Sequence, residues 1–304
     1  MSARWSGRWA APAETRRGVG VEVLIPTFER PAELATTLSG LAAQTDADFD
    51  VVISDQGRDP AWDAPAVRAM IGVLRAQGRR VRLERHLPPR GLAEHRDFLL
   101  HRSGAPRVLF LDDDVWLEPG LLARLDAALL ASGCGFVGAA VQGLSYLGDR
   151  RPQEGDAFEP WDGPPTPELV ECGTPAFERW RLHNAANLTH VALDLDLPEG
   201  DWLLYKVAWV GACVLYDREK LLSVGGFSFW RSLPPAHAGE DAAAQGRVMA
   251  AFGGAGLVPS GAVHLESPTT VPDRSTEARD VVPLDPTVPV TAMSAGGRSG
   301  VPTD

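Results

Sequence analysis

The sequence predicts an α/β fold with a mostly parallel sheet that is covered by helices on both faces. Strand-like and helix-like segments alternate over residues 21–141, as in folds built from parallel strands and crossover helices. The hydrophobic content is 44% of 304 residues, which is enough for one large domain with a well-developed core. Polar or charged loops follow three of the apolar segments, as is typical of ligand sites at the carboxyl ends of parallel strands.

The individual elements follow from local pattern. Short β-branched runs closed by Pro, Gly or Asp predict strands, and apolar residues at spacings of three and four predict helices. The predicted strands are Val21–Ile25, Asp50–Ser54, Val81–Glu84, Arg107–Leu111 and Phe136–Val141. The predicted helices between them are Pro31–Gln44, Pro65–Ala76, Leu92–His101 and Gly120–Ala131.

The alternation breaks after Val141. Residues 142–201 mix Pro, Gly, Trp and charged residues without a clear period. Beyond them we expect one long buried strand from Tyr205 to Tyr216, a short helix from Arg218 to Val224, a Gly-Gly-Phe turn, and a helix from Glu240 to Ala251. The Pro-, Thr-, Ser- and Gly-rich residues 274–304 are predicted to be disordered, and residues 1–19 to be a flexible segment.

Charge and targeting signals exclude several classes of protein. A formal net charge of -11 argues against a surface that binds nucleic acid. The three cysteines are widely spaced and form no CxxC pair, which argues against a disulfide scaffold or a thiolate zinc site. The N-terminal segment contains arginines but no apolar run, and no stretch is interpreted as a membrane span. A cytoplasmic location is therefore expected.

The strongest local feature is the acidic run Asp112-Asp113-Asp114 at the end of a buried strand. In an extended chain Asp112 and Asp114 point to one side while Asp113 points to the other. Two carboxylates with open positions beside them suit Mg²⁺ or Mn²⁺ that also binds phosphate oxygens. The alternative is a solvated loop or a helix N-cap, since Glu118-Pro119 precedes a helix, but a cap explains only one of the acids.

Four motifs together resemble the family 2 glycosyltransferases, whose Rossmann-like fold is called GT-A. They are Ile25-Pro-Thr-Phe-Glu-Arg30, Val52-Ile-Ser-Asp55, Leu109-Phe-Leu-Asp-Asp-Asp114, and Gly225-Gly-Phe227 with Gly239-Glu-Asp241 and Arg247. The resemblance covers roughly residues 21–268. It implies a domain over residues 20–273, with a nucleotide-binding half at about 20–141 and an acceptor-side insertion at about 142–273.

The resemblance also implies roles for residues of the first half. The positions expected to bind the nucleotide sugar are Pro26, Thr27, Phe28, Arg30, Asp55, Arg96, Asp112 and Asp113. Phe28 would stack on the base, although core packing is the alternative. Asp55 would accept a hydrogen bond from the base or ribose, unless it is a turn aspartate. Arg96 would lie near the pyrophosphate, or on a solvated helix face.

The second half would carry the chemistry. Asp241 is the expected general base, with Glu240 orienting it or the acceptor; a Glu-Asp pair that favours a helix N-terminus is the alternative. Arg247 is interpreted as a supporting or phosphate-binding residue. Asp114 and Asp112 would hold the metal, with His264 as a further ligand or simply a buried histidine. His183, Asn184 and Trp209 are the expected acceptor contacts, with Asn187 and Trp202 as further possibilities.

The resulting hypothesis is a hexosyltransferase-type enzyme (EC 2.4) that is dependent on Mn²⁺ or Mg²⁺ and inverts the anomeric centre. A UDP-sugar is favoured as donor, and the acceptor is a sugar, a lipid-linked molecule or a small molecule. A retaining GT-A enzyme and a catalytically inactive nucleotide-sugar-binding protein remain as alternatives. A sugar-nucleotide pyrophosphorylase is disfavoured because no glycine follows the first strand in Pro26–Arg30.

Overall fold

The computed structural model describes residues 19–44, 47–198 and 200–290. Its strands are β1 (Val21–Thr27), β2 (Phe49–Asp55), β3 (Val81–Arg85), β4 (Arg107–Leu111), β5 (Val115–Leu117), β6 (Phe136–Gly138), β7 (Leu203–Tyr205), β8 (Cys213–Asp217), β9 (Gly254–Val258) and β10 (Ala262–His264). Its α-helices are α1 (Pro31–Ala42), α2 (Pro65–Ala76), α3 (Leu92–Arg102), α4 (Leu121–Ser132), α5 (Pro152–Gly155), α6 (Asn187–Leu195), α7 (Arg218–Ser223), α8 (Glu240–Phe252) and α9 (Ala278–Val281).

Eight strands form one sheet in the order β3-β2-β1-β4-β8-β6-β9-β7. The pairs β2–β3, β1–β2 and β1–β4 are parallel, so the predicted mostly parallel sheet is confirmed. Strand β8 runs antiparallel to both β4 and β6, and β7 runs antiparallel to β9. The carboxyl ends of β2, β1 and β4 therefore lie next to one another at one edge of the sheet.

Hydrophobic cores cover both faces of this sheet. Val23 and Ile25 of β1 belong to one cluster of buried side chains, whereas Leu24 between them belongs to the other. Alternate residues of a strand point to opposite faces, so a strand that is buried on both sides is apolar throughout. This explains why β1 and its neighbours are uninterrupted apolar runs.

The prediction of one long strand from Tyr205 to Tyr216 is wrong. β7 ends at Tyr205 and β8 begins at Cys213, and the two strands lie in different parts of the sheet. β7 pairs with β9 at the edge, whereas β8 pairs with β4 and β6. The residues between them cross the end of the sheet, and their apolar character comes from burial of Val207, Ala208 and Val210.

The prediction of disorder from residue 274 onward does not hold through residue 290. Ala278 and Val282 are buried, and Arg247 of α8 donates hydrogen bonds to the carbonyl oxygens of Pro283 and Pro286. These contacts pack the segment on α8 and occupy Arg247, which therefore does not take the supporting role at the site that the sequence suggested. Residues 1–18 and 291–304, for which flexibility was predicted, lie outside the described residues.

Strands β5 and β10 form a separate two-stranded ribbon, in which β5 directly follows the aspartate run. The two strands are antiparallel and align His264 with Val115, next to Asp114. The Leu265 amide donates to the Asp114 carbonyl oxygen at 2.9 Å, which holds the two segments together. Within the described residues, no helix has the length and apolar character needed to cross a membrane.

Candidate active site

Two cavities open at the carboxyl edge of the sheet. One, of about 420 Å³, is called the strand-end cavity here, and the other, of about 630 Å³, the carboxylate cavity. The strand-end cavity is lined by residues that include Pro26, Thr27, Phe28, Gln56, His95, Asp113 and His237. The carboxylate cavity is lined by residues that include Arg96, Asp114, Trp209, Glu240, Asp241 and His264. Asp112 and Arg30 line both, so the cavities meet at the aspartate run.

Asp112 lines both cavities, Asp113 lines the strand-end cavity and Asp114 lines the carboxylate cavity; residues 113 and 114 form a turn, so the expected extended-chain alternation does not account for this division. Asp113 accepts a hydrogen bond from the Thr27 hydroxyl at 2.6 Å, on the side of β1. Asp114 accepts one from Arg30 at 2.7 Å, and the same guanidinium lies 3.3 Å from Asp113. Burial raises the pKa of Asp113 to about 7, against the opposing effects of the Thr27 hydrogen bond and the Arg30 charge. Thr27 and Arg30, which were expected to contact the nucleotide sugar, thus contact the aspartates in this structure.

Arg96 joins the aspartate run to helix α8. Its Nη2 donates to Asp112 at 2.8 Å, and its Nε donates to Glu240 at 2.9 Å. The residue is 3% exposed, so it does not lie on a solvated helix face. Burial acts to lower the pKa of Arg96. The negative charges of Asp112, Glu240 and Asp241 outweigh this effect, so the pKa of Arg96 is raised. A contact of Arg96 with a pyrophosphate stays a prediction, since its nitrogens already hold two carboxylates in place.

Asp241 lies in the first turn of α8 and lines the same cavity as Asp112 and Asp114. Gly239, with φ 73°, turns the chain into the helix, and the Asp241 carboxylate accepts a hydrogen bond from the Ala242 amide at 2.8 Å. Burial raises the pKa of Asp241 to about 7, the Glu240 charge adds to the effect, and Arg96 opposes it. A carboxyl group with a pKa near neutral pH is suited to take up and release a proton.

The fit to a divalent cation rests on Asp112 and Asp114. Both carboxylates line the carboxylate cavity and supply hard oxygen ligands. Among the described residues, no group of three or more His, Cys, Asp or Glu side chains is arranged to hold an ion. The two aspartates therefore fit Mn²⁺ or Mg²⁺ only if further ligands come from water or from a bound diphosphate.

His264 does not complete that set in the orientation seen here. Its Nε2 is 3.5 Å from an Asp114 oxygen, but its Nδ1 accepts a hydrogen bond from the Glu266 amide at 2.8 Å. A neutral ring that accepts at Nδ1 carries its proton on Nε2, which then faces Asp114 as a donor. The structure thus brings His264 to the site as a neighbour of Asp114, and its ligand role stays a prediction.

Asp55 does not line the strand-end cavity, and its contact with the base or ribose stays a prediction. It is 0% exposed. Its oxygens accept hydrogen bonds from the amides of Gly57 at 2.5 Å and Ala61 at 2.6 Å, and from Arg85 at 3.1 Å. Asp55 therefore holds the loop after β2, which is the turn role that the sequence left open.

Gln56, the next residue, was missed by sequence reasoning. It is 6% exposed and lines the strand-end cavity, and its Nε2 has no hydrogen-bond partner among the described residues. A buried amide donor without a partner is costly, so this group is poised for a ligand acceptor. The available signal was its place directly after the strand-end aspartate, but one sequence does not show which of two adjacent polar residues faces inward.

Besides the charged residues Arg30, Asp112, Asp113 and Asp273, the strand-end cavity is lined by His95 and His237. Burial lowers the pKa of His95 to about 3, with the positive charges of His86 and Arg96 acting in the same direction. His237 donates from Nδ1 to the Pro234 carbonyl at 2.7 Å and accepts at Nε2 from the Ala93 amide at 3.1 Å. Phe28 is 42% exposed at the rim, so it is not part of the core.

Of the three expected acceptor contacts, the structure places only Trp209 at the carboxylate cavity. The His183 ring bonds to the Tyr205 hydroxyl at 3.0 Å, and burial lowers its pKa to about 4. Asn184 donates to Glu154 at 3.3 Å. Neither His183 nor Asn184 lines either cavity, whereas Phe177 at the start of the same segment lines the carboxylate cavity.

Comparison with known proteins supports the family resemblance. The model of the family described as Glycosyl transferase family 2 matches residues 22–176, about half of the chain. The galactofuranosyltransferase GlfT2 of Mycolicibacterium smegmatis is 32% identical over 127 residues, which cover 39% of this chain and 19% of that protein. GlfT2 of Mycobacterium tuberculosis is 30% identical over 128 residues, covering 40% and 19%. The chain thus matches about a fifth of the length of these curated relatives.

Solved structures show the same fold. The mannosyltransferase PcManGT from Pyrobaculum calidifontis, in complex with GDP-Man and Mn²⁺, superposes with a TM-score of 0.51 at 17% identity, covering 87% of this chain and 64% of that chain. TarS 1-349 of S. aureus, in complex with UDP-GlcNAc, gives 0.51 at 14% identity, covering 83% and 60%. At such identities the likeness concerns the fold alone, and it confirms the GT-A prediction.

Proposed function

The chain belongs to glycosyl transferase family 2, and on that premise we propose that it transfers a sugar from a nucleotide-diphosphate sugar to an acceptor hydroxyl. The observation that carries the proposal is the two pairs of carboxylate groups in the carboxylate cavity. Asp112 and Asp114 follow β4, Glu240 and Asp241 begin α8, all four line the cavity, and Arg96 bonds to Asp112 and Glu240. The first pair suits a leaving diphosphate and the second suits a nucleophile.

The proposed chemistry is a single displacement. A bound divalent cation at Asp112 and Asp114 would neutralise charge on the leaving diphosphate. Asp241 accepts the proton of the acceptor hydroxyl while that oxygen forms a bond to the anomeric carbon. The bond from the anomeric carbon to the diphosphate breaks, the nucleoside diphosphate leaves, and the anomeric centre inverts. Arg96 and Glu240 keep Asp112 and Asp241 at fixed positions during the reaction.

The proposed donor is a UDP-sugar. The fold itself does not choose a base, since solved neighbours are complexed with GDP-Man in one case and UDP-GlcNAc in another. In the strand-end cavity the Gln56 amide offers a donor beside an acceptor, which complements a carbonyl and the adjacent N–H of uracil. Phe28 at the rim supplies a face for stacking.

The proposed acceptor is a sugar, a lipid-linked molecule or a small molecule with a free hydroxyl. Trp209 lines the carboxylate cavity and packs on Phe177 with ring centroids 5.6 Å apart, so it is the aromatic group placed to contact such an acceptor. We infer that residues 20–141 bind the donor and that residues 142–290 complete the acceptor side. The cytoplasmic location stays a prediction of the sequence.

Calorimetric titration tests donor binding first. We expect UDP to bind in the presence of Mn²⁺ and to bind much more weakly when EDTA replaces the metal. A panel of UDP- and GDP-sugars then identifies the donor by release of the nucleoside diphosphate, and NMR of the product shows inversion. Binding without turnover on any donor would favour the inactive binding protein, and retention at the anomeric carbon would favour the retaining alternative.

A further inference from the structure

A third cavity lies between α5 and α6, apart from the two cavities at the sheet edge. This α5–α6 cavity has a volume of about 550 Å³ and shares no lining residue with the other two. Asn187 and His190 of α6 line it, three residues apart and therefore on one face of the helix. Asn187 belongs to the polar segment that was expected to read sugar hydroxyls but that lies away from the proposed active site.

Both buried side chains present an acceptor without a donor. The Asn187 amide nitrogen donates to Glu154 at 2.8 Å and to the Arg181 carbonyl at 2.9 Å, which leaves Oδ1 as the free acceptor. His190 Nε2 lies 3.0 Å from the Leu147 carbonyl, to which it must donate, so the lone pair of a neutral ring is on Nδ1. Oδ1 of Asn187 and Nδ1 of His190 have no partner among the described residues.

Burial makes these two acceptors significant. Asn187 is 3% exposed and His190 is 9% exposed, so neither acceptor reaches bulk solvent easily. Buried polar atoms are normally paired, and two unpaired acceptors on one helix face fit a bound molecule that supplies two donors. Hydroxyl groups and ammonium groups are the common donors of that kind.

The remaining lining residues distinguish between these donors. Arg150 and Arg151 oppose Asp156 and Asp194, so the formal charge of the lining is balanced and favours neither a cation nor an anion. Phe158, Val191 and Leu195 add an apolar wall suited to the C–H face of a sugar ring. We propose that the α5–α6 cavity binds a neutral polyhydroxylated ligand, a carbohydrate residue, whose hydroxyls donate to Asn187 Oδ1 and His190 Nδ1. This site is separate from donor binding and does not depend on the proposed activity.

Saturation-transfer NMR on the full chain tests this site. The probes are the methyl α- and β-glycosides of glucose, galactose and mannose, with UDP and diamagnetic Mg²⁺ in excess to occupy the donor cavities. We expect saturation transfer to at least one glycoside, unchanged by UDP and Mg²⁺. Absence of transfer to every probe, as expected if water alone fills the cavity, overturns the proposal. Displacement by UDP also overturns it, because the sugar would then lie in the donor cavities.

A glycine on the cavity wall offers a blocking variant. Gly155 lines the cavity, and a Cβ added there meets no atom within 4 Å, so Gly155→Tyr fills space without a clash at the backbone. Gly148→Tyr is the matched control, because Gly148 has the same free space and does not line the cavity. We expect Gly155→Tyr to reduce the saturation signal at least fivefold and Gly148→Tyr to preserve it.

The two variants must also report on folding. UDP affinity should stay within twofold of wild type in both, which shows that the domain is intact. If Gly155→Tyr does not fold, Leu195→Trp fills the same cavity from α6 and takes its place. Equal signals in wild type and in a folded blocking variant contradict the assignment, even if the enzyme proves active with its donor.

Discussion

The strand-end cavity and the carboxylate cavity share Arg30 and Asp112, but a larger share of the remaining polar groups is uncharged in the strand-end cavity. Gln56, His95 and His237 give the strand-end cavity neutral hydrogen-bonding groups. The carboxylate cavity contains carboxylates and guanidinium groups, including Glu240 and Asp241. A nucleoside is neutral and is recognised by shape and hydrogen bonds, whereas the diphosphate and the departing proton require charge. Under the proposed function, the strand-end cavity would bind the nucleoside and the carboxylate cavity would carry the chemistry.

The largest expected effect is on the chemical side. Asp241→Asn should lower the transfer rate by about 10³-fold, since general bases contribute about 10² to 10⁴. The asparagine side chain keeps an oxygen that accepts the hydrogen bond from the Ala242 backbone N–H, so the local structure should be preserved. The UDP affinity with Mn²⁺ should therefore change by less than about twofold. Steady-state kinetics and calorimetry measure the two quantities.

Asp280→Asn is the control for that variant, because Asp280 lines the same cavity but is exposed. It should leave both quantities unchanged. Wild-type turnover by Asp241→Asn would remove Asp241 as the base and break the proposed division.

Asp114→Ala should have the next largest effect, on donor binding. We expect the affinity for UDP in the presence of Mn²⁺ to fall at least about 100-fold, the upper end of what loss of groups around a metal costs. Without metal, the UDP affinity should fall far less. Titrations with Mn²⁺ and with EDTA separate the two cases, and an equal loss in both would show that Asp114 acts only through its ion pair with Arg30.

A smaller effect is expected from Gln56→Leu on the neutral side. Loss of one amide hydrogen bond should weaken UDP binding about tenfold, which corresponds to about 1.4 kcal/mol. The preference for UDP over ADP should narrow at the same time, because stacking on Phe28 tolerates any base. Competition titrations with UDP, GDP, CDP and ADP measure both changes.

Gln153→Leu, at an exposed position of α5, is the control for the loss of an amide. If Gln56→Leu and Gln153→Leu bind all four nucleotides like wild type, the strand-end cavity does not read the base through Gln56.

The smallest effect concerns stability and pH. The pKa of Asp241 is raised in the folded protein, so folding favours the protonated carboxyl group. The contribution of this group to the free energy of unfolding is therefore fully present below pH 3.8, the pKa of the unfolded state. It is lost as the pH rises toward about 7, the pKa of the folded state. Asp241→Asn removes that loss and should raise the melting temperature at pH 8 by about 3 °C, within the usual range for such changes. At pH 4 the two proteins should melt alike. A higher melting temperature of the variant at both pH values would indicate packing and not ionisation.

Much of the site could be predicted because its residues follow strand ends. Thr27 and the aspartate run lie where apolar strands stop, and the carboxyl ends of parallel strands meet at one edge. The Glu240–Asp241 pair was found through the family resemblance, and its distance from Asp112 along the chain gave no sign of the Arg96 bridge. An arginine on an amphipathic helix has the same sequence pattern whether it faces solvent or a buried carboxylate.

Side-chain direction in loops could not be predicted from the sequence. Asp55 and Gln56 are adjacent and polar, and only the loop that follows β2 decides which one bonds to the backbone and which one faces the cavity. Likewise, the acceptor role of His183 and Asn184 depended on where residues 177–195 lie. Segments without a repeating pattern take their direction from what they pack against, and this information is not local.

Periodicity and residue type were enough to predict the α/β class, the succession of early strands along the chain and the place of the aspartate run at a strand end. Tertiary structure alone decided that β8 inserts between β4 and β6 and that residues 274–290 pack on α8. It also decided that Arg96 ties Asp112 to Glu240. Local patterns record which face of an element is buried, whereas the partner that buries it is chosen by long-range packing and by pairing of buried charges.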